Sequence, residues 1–420
     1  MKDFDLNFYK SLSLKIFKDI KKLTSDINGV TRESYGKGEK LAYDYLINLA
    51  KVNDLFIETD EALNTYFSLK KNSTENYLLV GSHIDSVPMG GNYDGLAGVV
   101  AGLVILIELK NKNISDIPNL KVLALRGEES AWYGINYIGS KAIFGLLSSK
   151  HLNVNHRDKN LKLFEAMASN NININKIKSQ KKLLNKNQIL GFIELHIEQG
   201  PVLIQKKWPV AIVTGIRGNF RYRKILCKGM AGHSGTIPRW LRNDAVFATS
   251  DLIMRMDEHW STILQHGGDL VLTSGIFHTD SNHHAMSRIP GEVYFSFEAR
   301  SKDEETLSQL DLLLKSECRT IENERGVKFK FDEIIKSAPA SVDALILKKL
   351  KDAAAMNGLK DAILPSGAGH DAAVFSNQDI PVGMIFIRNY NGSHNPEEFM
   401  DINDFLIGIK ILKDFIINFK

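Results

Sequence analysis

Four short segments of the 420-residue chain each join an apolar, strand-like run to a cluster of His, Asp or Glu with Gly. Helical patterns separate the first three segments, which is typical of β-α-β units in a mostly parallel sheet. Ligands gather at the carboxyl ends of the strands in such sheets. The pattern therefore predicts metal-binding side chains at one edge of a sheet. The segments are "YLLVGSHID", "KVLALRGEES", "GFIELHIEQG" and "VGMIFIRNYNGSH".

The first segment supplies one imidazole and, with the residues that follow it, two carboxylates. His83 and Asp85 are two positions apart at the end of a predicted strand, so they point to the same side. Asp85 can then accept a hydrogen bond from the second ring nitrogen of a metal-binding His83. Glycines in "GGNYDG" let Asp94 fold back toward the strand end. Taken alone, Asp94 is equally well explained as the N-cap of the next helix.

The other segments add two adjacent carboxylates and two imidazoles. Glu128 and Glu129 follow a buried strand, where paired carboxylates are costly unless positive charge lies among them. A salt-bridged surface pair is the alternative explanation. With His196 and His394, the set can hold two divalent cations bridged by Asp94. One Glu then remains free as a base, and this arrangement is typical of metal-assisted hydrolysis without a covalent nucleophile.

Composition excludes several other classes of function. A net charge of +4 with 24% charged residues is too mild to indicate a nucleic-acid partner. The longest apolar stretch, 96–109, is too short for a membrane span and predicts a buried helix. The chain has two cysteines without metal or redox spacing, and its first residues lack a signal-type apolar core. We therefore expect a cytoplasmic protein without disulfides.

The length of the chain predicts two domains. The larger, residues 1–209 with 330–420, is expected to be an α/β domain whose mostly parallel sheet carries helices on both faces. Between its two parts, residues 210–329 contain alternating patterns such as "FRYRKILCKG" and "EVYFSFEARS", each followed by a helical pattern. We expect this segment to form a smaller, inserted α/β sandwich.

Taken together, the motifs resemble those of the hydantoinase/carbamoylase branch of the dinuclear-metal aminoacylase and carboxypeptidase superfamily. This branch includes N-carbamoyl-L-amino acid hydrolases, β-ureidopropionases and allantoate amidohydrolases. The motifs occur in family order from about residue 29 to the C-terminus. They are "GSHIDSVPMGGNYDG", "EES", "ELHIEQGPVL", "GHSGTIP", "IPGEVYF", "LPSGAGHDA" and "GSHNPEE".

The resemblance implies a role for each matching residue. His83 and His196 would bind one metal, Glu129 and His394 the other, and Asp94 would bridge them. The metals would be Zn²⁺ or Mn²⁺, with Co²⁺ or Ni²⁺ as alternatives. Glu128 matches the general base, and His233 matches the histidine that stabilises the oxyanion across a dimer formed by the inserted domain. Substrate contacts would come from Gln199, Ser287, Arg300, Gly367 and Gly369, with Asp85 and His370 supporting the site from behind.

The resemblance also implies hydrolysis of a linear amide C–N bond in a small molecule, first of all the carbamoyl (ureido) group of an N-carbamoyl-L-amino acid. Allantoate or ureidoglycolate is the alternative substrate, and a dipeptide or N-acyl amino acid is a further one. Ser287 stands where the family has a substrate-binding Asn, "SAWY" replaces a commoner sequence after "EE", and Arg388 is additional; these departures bear on the substrate. A binding protein without turnover is disfavoured, because it has no need of the uncoordinated base Glu128.

Overall fold

The structure, a computed structural model, describes residues 4–70, 75–114 and 116–419. Residues 1–3 lie outside these ranges. The chain forms two compact units, Met1–Thr214 with Ser341–Lys420, and Gly215–Ala340. The larger unit holds β1 (Phe56–Thr59) to β6 (Val210–Ile216) and, after the insertion, β15 (Ile363–Ser366) to β18 (Phe399–Met400).

The other strands of the larger unit are β2 (Thr65–Ser68), β3 (Tyr77–His83), β4 (Leu120–Leu125), β5 (Ile189–Ile197), β16 (Val382–Ile387) and β17 (Asn389–Tyr390). The strands of the smaller unit are β7 (Gly218–Lys228), β8 (Gly232–His233), β9 (Val271–Thr273), β10 (Phe277–Thr279), β11 (Arg288–Ile289), β12 (Glu292–Ser301), β13 (Lys328–Phe331) and β14 (Ile335–Ser337). The α-helices are α1 (Leu6–Leu23), α2 (Lys37–Val52), α3 (Leu96–Asn111), α4 (Ile138–Ile143), α5 (Ser149–Leu152), α6 (Leu163–Ser169), α7 (Ile174–Lys178), α8 (Val202–Lys206), α9 (Ala245–Gln265), α10 (Glu304–Arg325), α11 (Ala344–Met356), α12 (Asp371–Ser376) and α13 (Ile402–Ile417). Short 3-10 helices occupy Lys186–Gln188, Arg239–Leu241 and Ser281–His283.

An eight-stranded sheet with the order β1-β2-β4-β3-β5-β16-β6-β15 forms the centre of the larger unit. Its four middle strands, β4, β3, β5 and β16, are parallel, whereas β2 and β6 run antiparallel to their neighbours β4 and β16. These four strands are the apolar runs of the four chemically suggestive segments. The predicted mostly parallel α/β sheet is thus confirmed, and the carboxyl ends of these strands lie at one edge.

Helix α3 connects β3 to β4 and is buried over almost its whole length, from Leu96 to Leu109. Apolar residues cover all its sides, which is typical of a helix enclosed by other elements. It shares the main core with α1, α13 and the middle strands. The buried helix predicted from this stretch is therefore confirmed. Over the described ranges, none of the helices is sufficiently long and apolar to cross a membrane.

The smaller unit contains a six-stranded sheet in which β7 and β12 form the longest pair and run antiparallel. Alternate residues of both strands are buried against α9 and α10, with Phe220, Phe295 and Phe297 in the core. The smaller unit starts at Gly215 and ends at Ala340, later than the predicted limits of 210 and 329. The reason is that β6 begins at Val210 within the larger sheet, while β14, beyond position 329, pairs with β7.

Candidate metal centre

The turn from β3 into α3 brings Asp94 back beside His83. The N-cap of α3 is Gly95, and the Asp94 side chain makes no capping bond, so the N-cap explanation of Asp94 is wrong. Gly95 has φ +66°, a left-handed conformation that favours glycine. A Cβ atom at this position would lie 2.4–2.5 Å from ring atoms of His83. The turn therefore requires glycine here for two independent reasons.

Three buried residues form a first group of metal-competent atoms. Nε2 of His83 and Nε2 of His196 lie 3.4 and 3.1 Å from Oδ1 of Asp94, and 3.4 Å from each other. Nδ1 of His196 lies 2.8 Å from the carbonyl oxygen of Ile197. When Nδ1 donates to this carbonyl, the proton is absent from Nε2, which is then free as a ligand.

A second group shares the same aspartate through its other oxygen. Nε2 of His394 lies 3.5 Å from Oδ2 of Asp94 and 3.2 Å from Oε1 of Glu129. Glu129 and Asp94 are buried, whereas half of the His394 side chain is exposed. The second group therefore lies on the solvent side of the cluster.

The donor set of both groups fits divalent cations. Each group contains three residues whose N or O atoms lie within 4.8 Å of one another. Oδ1 of Asp94 is buried and has no hydrogen-bond partner among the described residues, an arrangement that is costly unless a cation or proton approaches it. Mixed imidazole and carboxylate donors suit zinc and other first-row metals. The cluster can thus hold two cations with Asp94 between them.

Asp85 connects the first ligand to the pair of glutamates. Its Oδ1 lies 3.3 Å from Nδ1 of His83 and accepts the backbone N–H of Glu128 at 3.0 Å. Its Oδ2 accepts the backbone N–H of Glu129 at 3.1 Å and the Ser34 hydroxyl at 2.7 Å. Although burial favours the neutral ring, the nearby carboxylates of Asp85 and Asp94 raise the pKa of His83 well above its ordinary value.

Glu128 lies beside the cluster but belongs to neither group of ligands. Its Oε2 is 4.0 Å from Nε2 of His83, and the residue is buried. Burial raises the pKa of Glu128 well above the ordinary range, and the charge of His83 offsets this effect only in part. Both glutamates are buried, so the explanation of a salt-bridged surface pair is wrong. Glu128 is placed as a carboxylate available for proton transfer.

The basic residue next to the two glutamates has a different partner. Arg126 forms a buried ion pair with Glu39. Glu39 also accepts the backbone N–H of Gly127 at 3.1 Å and of Tyr35 at 2.7 Å. Arg126 therefore fixes the chain segment that carries Glu128 rather than neutralising its charge.

Two buried ionic residues that support the site were not identified from the sequence. Arg32 donates to the Ile84 carbonyl at 2.6 Å and to Asn92 at 3.3 and 3.4 Å, and so connects the end of β3 to the loop of Asp94. Glu398 accepts the backbone N–H groups of Tyr93 and Asp94. For Glu398, the only signal was its position inside the motif "GSHNPEE".

Gln199 and His394 both lie beside Asp94, and both have a left-handed backbone conformation. Nε2 of Gln199 lies 2.8 Å from Oδ2 of Asp94, and its buried Oε1 has no hydrogen-bond partner among the described residues. Gln199 has φ +65° and His394 has φ +61°. Non-glycine residues in this region store backbone strain, which is concentrated at functional sites.

The loop between β15 and α12 carries His370, which packs against His196. The ring of His370 packs edge-on against His196 at 4.6 Å, and its Nε2 is 2.8 Å from the Ser366 hydroxyl. Burial, reinforced by the neighbouring His196, lowers the pKa of His370 well below its ordinary value. Gly367 is exposed, and a Cβ atom at Gly369 would lie 1.8 Å from the Tyr137 hydroxyl.

The remaining predicted site residues belong to the smaller unit. His233 is exposed on β8, and its Nδ1 accepts the Gly235 N–H at 3.1 Å. In the neutral ring the proton must then be on Nε2, which is a donor. The Ser287 carbonyl accepts the N–H of Ser234 at 2.8 Å. Arg300 lies on β12 beside Glu298, at 3.1 Å.

The unusual residues noted in the sequence have structural partners. Trp132 is buried, donates to the Ser86 carbonyl at 2.8 Å and stacks on His156. Arg388 donates to both oxygens of Asp404, at 2.8 and 3.0 Å. Both residues therefore stabilise the larger unit.

Comparison with known proteins places this arrangement among hydrolases. Residues 79–418 match peptidase family M20/M25/M40. An allantoate amidohydrolase of Escherichia coli is 32% identical over 357 residues, 84% of either chain. An N-carbamoyl-L-amino acid amidohydrolase of Geobacillus stearothermophilus is 30% identical over 386 residues, 91% of this chain and 92% of the relative. A crystal structure of a hydantoinase/carbamoylase family amidase from Burkholderia multivorans superimposes with a TM-score of 0.85, at 24% identity and 97% coverage of both chains.

Proposed function

Because this chain belongs to peptidase family M20/M25/M40, in its hydantoinase/carbamoylase branch of metal-dependent amide hydrolases, we propose that it removes the carbamoyl group of an N-carbamoyl-L-amino acid. The products are the amino acid, ammonia and carbon dioxide. One observation carries the proposal: buried Glu128 lies beside two groups of metal-competent residues without belonging to either. A hydrolase needs such a base, whereas a site that only binds metal does not.

We assign the five clustered residues as ligands of two cations, Zn²⁺ or Mn²⁺. His83 and His196 would hold the first, Glu129 and His394 would hold the second, and Asp94 would contribute to both. The chemistry that such cations supply is Lewis acidity, which polarises a carbonyl group and lowers the pKa of water. Asp85 keeps the His83 ring oriented with Nε2 toward the cations.

Proton transfer is the role of Glu128. Its carboxylate accepts a proton from the attacking water and returns it to the leaving nitrogen of the carbamoyl group. Burial favours the protonated form of Glu128, which suits the second of these steps. Asp85 accepts the backbone N–H groups of Glu128 and Glu129. These two hydrogen bonds hold the base and the neighbouring metal-competent residue in a fixed backbone position.

The substrate contacts follow from the motifs that match the family. Gln199, whose Oε1 lacks a partner among the described residues, offers an acceptor to the substrate amide N–H. Arg300 binds the α-carboxylate of the substrate through its guanidinium group. The backbone of Gly367 and Gly369 contacts the amino acid part of the substrate, and His370 supports this loop. His233 stabilises the oxyanion through Nε2–H, in accord with the acceptor role of its Nδ1.

Allantoate, or the related ureidoglycolate, is the second candidate substrate. The 32% identical relative from Escherichia coli is named an allantoate amidohydrolase. Ser287, with its shorter hydroxyl side chain, would leave more room for a substrate with a second ureido group than the Asn that the family carries there. A dipeptide or N-acyl amino acid is a third candidate.

We propose that the protein is a homodimer formed through the smaller unit. Trp240 is 83% exposed, and Phe247 and Met254, seven positions apart on α9, are 63% and 59% exposed. The spacing places the last two on the same face of the helix, and an apolar surface of this kind is typical of an interface. Phe247→Asp is expected to shift the sedimentation coefficient from that of a dimer to that of a monomer. A cytoplasmic location stays a prediction.

The test of function is ammonia release by protein loaded with Zn²⁺ or Mn²⁺. The substrates to compare are N-carbamoyl-L-amino acids with different side chains, allantoate, ureidoglycolate and dipeptides, the last by release of amino acid. We expect the highest kcat/KM with an N-carbamoyl-L-amino acid. A higher value with allantoate or ureidoglycolate would establish the second candidate instead.

Glu128→Gln tests the mechanism with the best substrate. General acid-base catalysis contributes about 10²–10⁴-fold, so kcat is expected to fall by at least about a hundredfold while two metal ions remain bound by elemental analysis. Turnover within a few-fold of the wild type would refute the role of Glu128. His394→Ala is the comparison, because it should lose metal as well as turnover.

A further inference from the structure

Glu398 is a buried carboxylate whose contacts all lead to the two loops that carry metal-competent residues. Its Oε1 accepts the backbone N–H of Tyr93 at 2.8 Å and of Asp94 at 3.3 Å. Its Oε2 lies 2.6 Å from Oγ of Ser393. Glu398 is 7% exposed. It therefore joins the backbone before α3 to the residue next to His394.

The Ser393 hydroxyl extends this connection to the shared carboxylate itself. Its Oγ lies 2.5 Å from Oδ2 of Asp94, the oxygen that faces His394. The Asp94 loop is thus held at its backbone by Glu398 and at its side chain by Ser393. Both contacts come from one short segment more than 290 positions further along the chain.

The Asp94 loop leaves space for this carboxylate at Gly91. A Cβ atom at Gly91 would lie 2.1 Å from Cδ and 2.2 Å from Oε1 of Glu398. Gly91 does not have a positive φ, so its backbone conformation is open to alanine. What excludes a larger residue is the position of Glu398.

A buried guanidinium group, that of Arg32, contacts the same loop. Arg32 is fully buried and binds Asn92, the residue next to Tyr93. Among the charges that act on Arg32, that of Glu398 is the strongest. The loop that presents Asp94 is therefore held between the buried carboxyl group of Glu398 and the buried guanidinium group of Arg32.

We propose that Glu398 is a positioning residue that keeps Asp94 and His394 at the separation needed for the second cation, and thereby sets the affinity of that cation. Glu398 belongs to neither group of metal-competent residues. It acts through the Tyr93 and Asp94 amides and through the Ser393 hydroxyl. The inference rests on the dinuclear centre proposed above.

The structure also predicts which substitution preserves this function. In Glu398→Gln, the amide oxygen can still accept both backbone N–H groups, and the amide NH₂ can donate to the Ser393 oxygen. The hydroxyl of Ser393 can then still donate to Asp94. Glu398→Ala loses all these contacts, and Gly91→Ala displaces Glu398 without changing it.

The experiment is a titration of the metal-free protein with Mn²⁺, in which free ion is measured by electron paramagnetic resonance. The wild type is expected to bind two ions. Glu398→Ala should bind the first ion nearly normally and the second about 10- to 100-fold more weakly, as is typical when a residue that supports a metal ligand is lost. Gly91→Ala should behave like Glu398→Ala, and Glu398→Gln like the wild type.

The matched control is Asp343→Ala at the start of α11. Asp343 also accepts two backbone N–H groups with one carboxylate oxygen, from Leu345 and Ile346, but it contacts neither ligand loop. We expect it to lower the melting temperature of the metal-free protein and to leave both Mn²⁺ affinities unchanged.

The outcomes separate the inference from the proposed function. A wild type that binds two ions, together with a Glu398→Ala variant that binds both equally well, overturns the role of Glu398 alone. Equal weakening by Asp343→Ala also overturns it, because the effect would then follow from general destabilisation. A folded wild type that binds fewer than two ions refutes the dinuclear centre, and the inference with it.

Discussion

Asp85→Asn tests how the first ligand is connected to the base. The carboxylate of Asp85 accepts the backbone N–H groups of Glu128 and Glu129 on separate oxygens. An amide has one acceptor oxygen, so in either orientation one of these buried N–H groups faces an NH₂ group. The perturbation leaves the shape of the side chain unchanged and removes a single acceptor and the charge.

The magnitude follows from the bonds that are lost. A buried N–H without a partner costs about 1–3 kcal/mol, and a hydrogen bond that changes from charged to neutral loses about 1 kcal/mol. We therefore expect the free energy of unfolding of the metal-free protein to fall by about 2–4 kcal/mol. Because the orientation of His83 also depends on Asp85, metal affinity should fall about 10- to 100-fold.

Urea denaturation of the metal-free protein measures the first effect, and Mn²⁺ titration measures the second. Ser34→Ala is the control, since it removes the hydroxyl bound to Asp85 and leaves both N–H acceptors in place; a loss of about 1 kcal/mol is expected. If Asp85→Asn unfolds within about 1 kcal/mol of the wild type and retains both ions, the reasoning about the shared carboxylate is refuted.

Two further predictions concern backbone space and pH. Gly95→Ala should abolish tight metal binding, because the new Cβ atom meets the His83 ring. Gly134→Ala is the control: it has the same φ of +66° but nothing within 4 Å of the new Cβ atom, so it should cost only about 1–2 kcal/mol of strain and keep both ions. Equal metal binding by the two variants would contradict this reasoning. In the smaller unit, burial opposes the charge of Asp269, but its ion pair with Arg217 outweighs burial and lowers its pKa below the unfolded value. The resulting stabilisation is complete above the unfolded pKa of about 3.9 and is lost as the pH falls through the folded pKa, which lies lower. The stability advantage of the wild type over Asp269→Asn in urea should therefore be constant at neutral pH and shrink as the pH falls below about 4. An advantage independent of pH would contradict the assignment.

The parts of the site that could be predicted from the sequence are those encoded over short distances. A strand followed at once by His83, or by Arg126 and the two glutamates, is visible as a local pattern, and the parallel order of strands then predicts that these ends meet. The same reasoning left Asp94 undecided between a ligand and a helix cap. The structure excludes the helix cap, because the N-cap is Gly95, and it places His196 and His394 beside the two oxygens of Asp94.

What could not be predicted depends on contacts between distant segments. Glu398 reaches the Asp94 loop across about three hundred positions, and Arg126 takes Glu39 as its partner across 87. No periodicity or spacing encodes such pairs. Domain limits were displaced for a related reason, because β6 and β14 are assigned to their sheets by their pairing partners rather than by their own sequence.

The division of the larger unit by an insertion has a consequence for how the protein is made. Gly215–Ala340 is a continuous segment, so it can fold while the ribosome is still producing the rest of the chain. The larger unit cannot be completed at that stage, because β16 and the loop of His394 follow the insertion in the chain, although β16 lies next to β5 within the sheet. A nascent chain that already carries His83 and His196 therefore still lacks His394, a member of the second group of metal-competent residues.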